Sequence, residues 1–268
     1  MNTSISREQI DEYQRDGCLL IEDFLSKDEV AELSDAIAEV VSGMGKNKLV
    51  GGEIREEGDT YYDKVFLQRI NLWKSSETVK RYVLDPELGK MLCDLEGIEG
   101  IRVWHDQTLQ KQPWANPTGW HLDNPYWSFH SRHAVSIWIA LDDATLQNGC
   151  MYYLPGTHKL ASYDNVGIGE NISDLFSVYP DFQKIEPKVG AMKAGSAGVH
   201  NGLTAHGANA NMTPRWRRAM TCAYMPDGAT FNGQKNILSD AQVSALRVGG
   251  LLNDERQNPL IWLASMED

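Results

Sequence analysis

The residues best suited to chemistry in this 268-residue chain are Gly119-Trp120-His121-Leu122-Asp123 and, 85 positions beyond His121, Leu203-Thr204-Ala205-His206-Gly207. On an extended strand, residues i and i+2 share a face. His121 and Asp123 are therefore expected to aim an imidazole and a carboxylate at one point. A His-x-Asp tripeptide arises often by chance, so it needs a third ligand and a rigid scaffold. His206, close before another stretch of strand character, offers that ligand. Two imidazoles and one carboxylate on three corners of a face form the ligand set of non-haem Fe(II) oxygenases, with the other coordination positions open. His200, in Val199-His200-Asn201, also falls at a strand end and competes with His206 for the distal position. Eleven residues after His206 comes Arg217. An arginine inside a barrel is costly unless it meets an anion, and its planar fork suits a carboxylate.

The elements that must hold these groups fall into two halves. Ser6-Arg7-Glu8-Gln9 and Ser26-Lys27-Asp28-Glu29 both have capping-box spacing and predict two helices near the front. The first should stop at Gly17. The second carries Val30, Leu33, Ile37, Val40 and Val41 at helical spacing, and Cys18-Leu19-Leu20-Ile21 between them reads as a strand. From about Ile101 the chain turns to short strands: 101–104, 134–141, 151–154, 197–200 and 218–224. Asn116-Pro117, Asn148-Gly149, Pro155-Gly156, Val189-Gly190 and Thr213-Pro214 give turn signals between them. The pattern predicts a mainly β, α+β chain built on an antiparallel sandwich or barrel with flanking helices. With no repeat and no clear linker, a single domain is expected. Residues 1–100 would be a largely helical flank, 101–226 the barrel core and 227–268 a C-terminal extension.

Composition narrows the partners. Apolar residues make up 42% and charged residues 23%, which excludes intrinsic disorder. A net charge of −12 argues against nucleic acid and anionic membrane surfaces. The four cysteines form no CxxC pair, so neither a cysteine zinc site nor a disulfide scaffold is expected. The first fourteen residues lack an apolar signal core, and the most apolar run, 134–141, is too short to span a bilayer. The expectation is a cytoplasmic protein, monomer or homodimer, whose partner is a small molecule.

Taken together, these segments resemble the phytanoyl-CoA dioxygenase family of Fe(II)- and 2-oxoglutarate-dependent oxygenases. The likeness runs from Tyr13-Gln14-Arg15-Asp16-Gly17 through Glu22-Asp23-Phe24-Leu25 and His121-Leu122-Asp123. It continues in Trp138 to Ala144, Asn148-Gly149-Cys150, Leu154-Pro155-Gly156-Thr157-His158, and His206-Gly207 to Arg217-Arg218-Ala219. The resemblance implies a double-stranded β-helix, the jelly-roll barrel, with Fe(II) held by His121, Asp123 and His206. It also implies 2-oxoglutarate and O2 as co-substrates, with Arg217 on the distal carboxylate of 2-oxoglutarate. Arg69, Gln107 and Trp138 fall on weaker co-substrate contacts of the family. Two positions depart from its pattern: Ala208 replaces a small hydroxyl residue, and Arg69 replaces a more usual lysine. The activity implied is oxidative decarboxylation of 2-oxoglutarate to succinate and CO2, coupled to oxidation of an unactivated C–H bond of a small metabolite. Related halogenases carry Gly or Ala in place of the carboxylate, so Asp123 favours hydroxylation or another oxidation. Two alternatives use the same barrel: a catalytically inactive metal and 2-oxoglutarate sensor, and a cupin-type isomerase or hydrolase with another metal.

Other residues read more plainly. His105 and Asp106 either face the pocket or pair with neighbours, and alternation places Arg218 on the face opposite Arg217. Trp120 and Trp127 flank the iron motif and could line the substrate cavity. Segments 43–63 and 167–184 lack a sustained apolar period and are long for connections, which marks them as candidate covers of the site.

Overall fold

A computed structural model describes residues 1–50 and 61–266. Part of the first candidate cover, 51–60, lies outside the described residues. Helix α1 (Arg7–Asp16) starts at a capping box on Ser6 and ends at Gly17, whose φ of 73° closes it. A Cβ at Gly17 would come within 2.2 Å of the His158 ring, so space and backbone both require glycine. Strand β1 (Cys18–Ile21) follows, then α2 (Lys27–Met44), opened by the second capping box on Ser26. All three match the sequence reading. The flank adds strand β2 (Leu67–Ile70), α3 (Glu77–Val83) and α4 (Pro86–Glu96).

The remaining strands are β3 (Gly100–Gln110), β4 (Thr118–His121), β5 (Val135–Ala140) and β6 (Met151–Tyr153), then β7 (Lys188–Gly190), β8 (Ala197–Asn201), β9 (His206–Ala208), β10 (Ala219–Pro226) and β11 (Leu260–Leu263). Short helices α5 (Thr157–Leu160), α6 (Leu175–Val178) and α7 (Asp240–Ala245) sit in the connections. One sheet runs β1-β8-β5-β10-β3-β11, with β2 also paired to β3; the other runs β4-β9-β6-β7. Every named pairing is antiparallel. This is a jelly-roll fold.

The core explains why β5 is apolar at every position but Ser136. Its Ile137 and Ile139 join Leu33, Ile37, Val79, Leu88 and Leu92 of the helices in one buried cluster. Its Trp138 and Ala140, pointing the other way, pack with Met151, Tyr153 and Ala208 of the smaller sheet. Both faces are covered, so the usual alternation with polar residues is absent. Gly190 departs from expectation: it lies inside β7 rather than at a turn. A Cβ there would meet Tyr153 at 3.0 Å and the Met151 carbonyl at 3.1 Å, so the glycine permits close strand approach. Strand β3 is also longer than its apolar start suggested, carrying His105, Asp106 and Gln107 into the large sheet. All four cysteines are buried and free. Among the described residues no helix is long and apolar enough to cross a membrane.

Candidate active site

His121 is the last residue of β4 and stands opposite His206, the first residue of β9. Gly207 makes this pairing possible: a Cβ there would sit 2.9 Å from the Thr118 carbonyl oxygen. Asp123 reaches the pair differently from the sequence expectation. It lies beyond the strand in right-handed helical backbone (φ −78°, ψ −53°), where a short 3-10 turn at Asn124–Tyr126 begins. The turn, not a shared strand face, brings its carboxylate round. Asp123 Oδ1 is 3.7 Å from His121 Nε2 and 3.6 Å from His206 Nε2. One ligand atom from each of the three residues falls within 4.8 Å of the others. His121 Nδ1 meets the Gly119 carbonyl and His206 Nδ1 the Thr204 carbonyl, both at 2.9 Å. Each Nδ1 must then carry the proton, which leaves the Nε2 lone pairs facing the shared point.

The other carboxylate oxygen is held from outside. Ser136 Oγ donates to Asp123 Oδ2 at 2.8 Å, and His200 Nε2 lies 3.2 Å from the same oxygen. His200 is therefore in the site but supports the carboxylate, while His206 takes the place beside His121. Sequence reasoning flagged His200 as a rival ligand and missed Ser136. That serine sits on the inward face of β5 opposite His200 of β8, and only the register reveals it. Burial pushes His121 and His206 down to about 4, so both imidazoles are neutral and ready to donate a lone pair. Burial alone would raise Asp123. His206 and His200 outweigh it and hold the carboxyl far below its usual range.

All three groups line a cavity of about 350 Å³, and Arg217 lies in the same wall. Arg217 is 1% exposed, its Nε and Nη1 have no hydrogen-bond partner, and its guanidinium lies 5.1 Å from the Trp138 ring. Burial lowers it to about 10, which leaves it charged at neutral pH. Gln107 is in the wall and accepts from Gln68 Nε2 at 2.6 Å. Arg69 is not in the wall. Its guanidinium donates to the Gln68 carbonyl at 2.7 Å and to the Gly45 carbonyl. Arg218 turns away from Arg217 and grips Asp142 with two hydrogen bonds of 2.9 and 2.7 Å. Lys111 pairs backbone to backbone with Arg217 and is fully buried. Burial and the Arg217 charge lower it to about 6.

Alternation along β3 resolves the His105–Asp106 pair. Asp106 accepts from the Leu72 and Trp73 backbone amides at 3.0 and 3.1 Å, a structural role. His105 lies in the cavity wall, 6.2 Å from Trp127 in edge-to-face contact. The two tryptophans also separate: Trp127 lines the cavity, whereas Trp120 packs on Phe176 outside it. Ile168 of the second candidate cover and Asn236 and Ile237 of the C-terminal segment complete this side. Asn236 and Ile237 belong to the tail after Tyr224, one of the segments from which the sequence leads substrate-contacting loops to be expected, and the fold brings them to the cavity wall.

A jelly roll with two histidines, one carboxylate and a buried arginine in one cavity defines the non-haem iron, 2-oxoglutarate-dependent oxygenases. Residues 13–219 match the pattern of the family described as Phytanoyl-CoA dioxygenase (PhyH), and the chain belongs to that family. It is an enzyme of the Fe(II)/2-oxoglutarate dioxygenase class, whose reactions use Fe(II), 2-oxoglutarate and O2. The chain is 26% identical to peroxisomal phytanoyl-CoA dioxygenase of Rattus norvegicus, over 83% of this chain and 69% of that protein. It is 27% identical to a probable alpha-ketoglutarate-dependent hypophosphite dioxygenase of Stutzerimonas stutzeri, over 81% and 77% of the two chains. Among solved structures it resembles the non-heme alpha ketoglutarate dependent carbocyclase SnoK from nogalamycin biosynthesis. There the TM-score is 0.79 with 27% identity, covering 96% of this chain and 97% of that one.

Proposed function

We propose that His121, Asp123 and His206 hold Fe(II), that Arg217 holds the distal carboxylate of 2-oxoglutarate, and that the enzyme hydroxylates a C–H bond of a small-molecule metabolite within one catalytic domain. The observation that carries this reading is Arg217. It is a buried, charged guanidinium with two unpartnered nitrogens, in the same cavity as three convergent ligand atoms. A buried cation left without a partner is expensive, and a carboxylate accepts its fork in two hydrogen bonds. The donor set fits a divalent metal equally well, since both Nε2 lone pairs and Asp123 Oδ1 face one point.

When bound, iron supplies activation of O2 coupled to decarboxylation of 2-oxoglutarate to succinate and CO2. The protein's part is placement. Ser136 and His200 fix Asp123 so that Oδ1 is presented and Oδ2 is occupied. The Gly119 and Thr204 carbonyls fix the ring orientation of the two histidines. Trp138 supports the face of the Arg217 guanidinium, and Gln107 offers a polar contact nearby. The apolar wall around Tyr126, Trp127 and Ile168 limits water at the reacting centre. Asp123 occupies the position that a halide would need, which favours hydroxylation or a related oxidation.

The test is substrate-free turnover. Protein supplied with Fe(II), 2-oxoglutarate and air should release succinate slowly, and the Asp123→Ala and Arg217→Ala variants should release far less. Succinate formation that is equal in all three proteins would remove this assignment.

A further inference from the structure

We infer that the cavity beyond the metal ligands takes an uncharged, flat, ring-containing metabolite whose hydroxyl or carbonyl group hydrogen-bonds His105. This rests on the oxygenase reading above and adds the substrate class. Three observations on the cavity wall carry it.

The first is the shape of the apolar surface. Phe66, Tyr126 and Trp127 bring aromatic rings to the wall, which Ile70, Ile168 and Ile237 also line. Trp127 is itself braced, with its ring 5.5 Å from Phe129. Tyr126 is anchored by its hydroxyl, which donates to the Val166 carbonyl. Rigid aromatic faces favour a flat ring over a flexible chain, because both partners lose little conformational freedom on stacking.

The second is charge. Apart from Asp123 and the histidines of the site, Arg217 is the one ionisable side chain of the wall among the described residues that carries full charge. Arg217 is assigned to the co-substrate. Among the described residues of the wall, no other charged basic group is left to pair with a phosphate or carboxylate on the substrate. The net charge of −12 also disfavours an anionic ligand at a distance.

The third is His105. It is 5% exposed, stands in the wall beside Trp127, and its Nδ1 has no hydrogen-bond partner. A buried polar atom left unsatisfied is costly, and in a ligand cavity a group on the ligand is the natural partner. A neutral imidazole offers one donor and one acceptor, so either a hydroxyl or a carbonyl satisfies it. The cavity of about 350 Å³ lies near the low end of the usual range for ligand sites. After 2-oxoglutarate takes its share beside Arg217, the space left suits one or two rings rather than a long acyl chain.

The experiment is equilibrium dialysis of full-length protein loaded with Mn(II) and 2-oxoglutarate under argon. The probes are 2-naphthol, naphthalene, 2-naphthoate and octan-1-ol. Retention of 2-oxoglutarate is read in the same cells. 2-Naphthol should be held at least about tenfold more tightly than each of the other three, the factor one well-made hydrogen bond supplies. His105→Leu should erase the advantage of 2-naphthol over naphthalene, and His105→Gln, which keeps a donor and an acceptor, should restore part of it. Tighter binding of 2-naphthoate or octan-1-ol would overturn the inference. So would a 2-naphthol preference that survives in His105→Leu with 2-oxoglutarate still retained. If His105→Leu does not fold, equal naphthol and naphthalene binding by the wild type overturns the inference by itself. Retained 2-oxoglutarate without a naphthol preference sinks the substrate class and leaves the oxygenase reading standing. Loss of 2-oxoglutarate retention in the wild type sinks that reading and this inference with it.

Discussion

Ser136 Oγ stands 2.8 Å from Oδ2 of Asp123 and donates to it, which leaves Oδ1 as the oxygen that faces both His121 and His206. One hydroxyl thus decides which edge of a carboxylate is available. The relationship crosses from β5 to the turn after β4. It links the inner face of the large sheet to the ligand set on the small one.

Removing that hydroxyl should loosen the metal without abolishing it, because His200 still meets Oδ2. Outer partners of metal ligands typically contribute about 10–100-fold in affinity. Ser136→Ala should therefore weaken divalent-metal binding by roughly tenfold, and Asp123→Ala should remove it, as read by calorimetric titration of metal-free protein. Unchanged affinity in Ser136→Ala would show that the hydroxyl does not orient the carboxylate.

Arg217 gives the second expectation. Charged hydrogen bonds contribute about 1.5–3 kcal/mol, so Arg217→Ala should raise the dissociation constant for 2-oxoglutarate by at least about tenfold. Arg217→Lys keeps the charge but not the fork and should fall between. Calorimetry with the metal-loaded protein measures both, and wild-type affinity in Arg217→Ala would move the role elsewhere.

Trp138 has a structural and a functional share. It is among the largest fully buried side chains and packs against the Arg217 guanidinium. Trp138→Ala should cost about 3–5 kcal/mol in urea unfolding through the cavity it leaves. Trp138→Phe should cost much less, while still weakening 2-oxoglutarate binding through the smaller ring. A urea midpoint for Trp138→Ala equal to that of the wild type would refute this.

The stability of the metal-free protein should depend on pH with a definite sign. His105, His121 and His206 titrate near 4 when folded, against 6.5 when unfolded. The stability that goes with keeping them neutral is complete above about pH 6.5 and is lost as pH falls through about 4. Asp106 works the other way: burial pushes it up to about 7, so its contribution is lost as pH rises through that value. Three imidazoles against one carboxyl leave a net uptake of about two protons on unfolding near pH 5. Thermal midpoints should therefore fall between pH 6.5 and 4.5. A shallower slope is expected in His105→Leu, and a flat profile would contradict these assignments.

Local patterns in the chain determined much of this protein. Capping boxes on Ser6 and Ser26, the glycine stop at Gly17 and the apolar run of β5 are short-range signals, read correctly because their physics is short-range. Residue type and spacing also brought forward His121, Asp123 and Arg217, with His206 and His200 left competing for the third ligand, since ligand chemistry and the cost of a buried arginine do not depend on the fold. Tertiary structure decided the rest. It turned Asp123 round a 3-10 corner instead of along a strand, and set His200 on the outer carboxylate oxygen. It drew Arg69 away to the Gly45 and Gln68 carbonyls. It also set the Ser136 hydroxyl on that same outer oxygen of Asp123 and brought Asn236 and Ile237 to the cavity wall. These outcomes depend on strand register and on contacts between residues far apart in sequence. A one-residue slip in pairing would exchange the inward and outward faces of β5, and no local pattern fixes that choice.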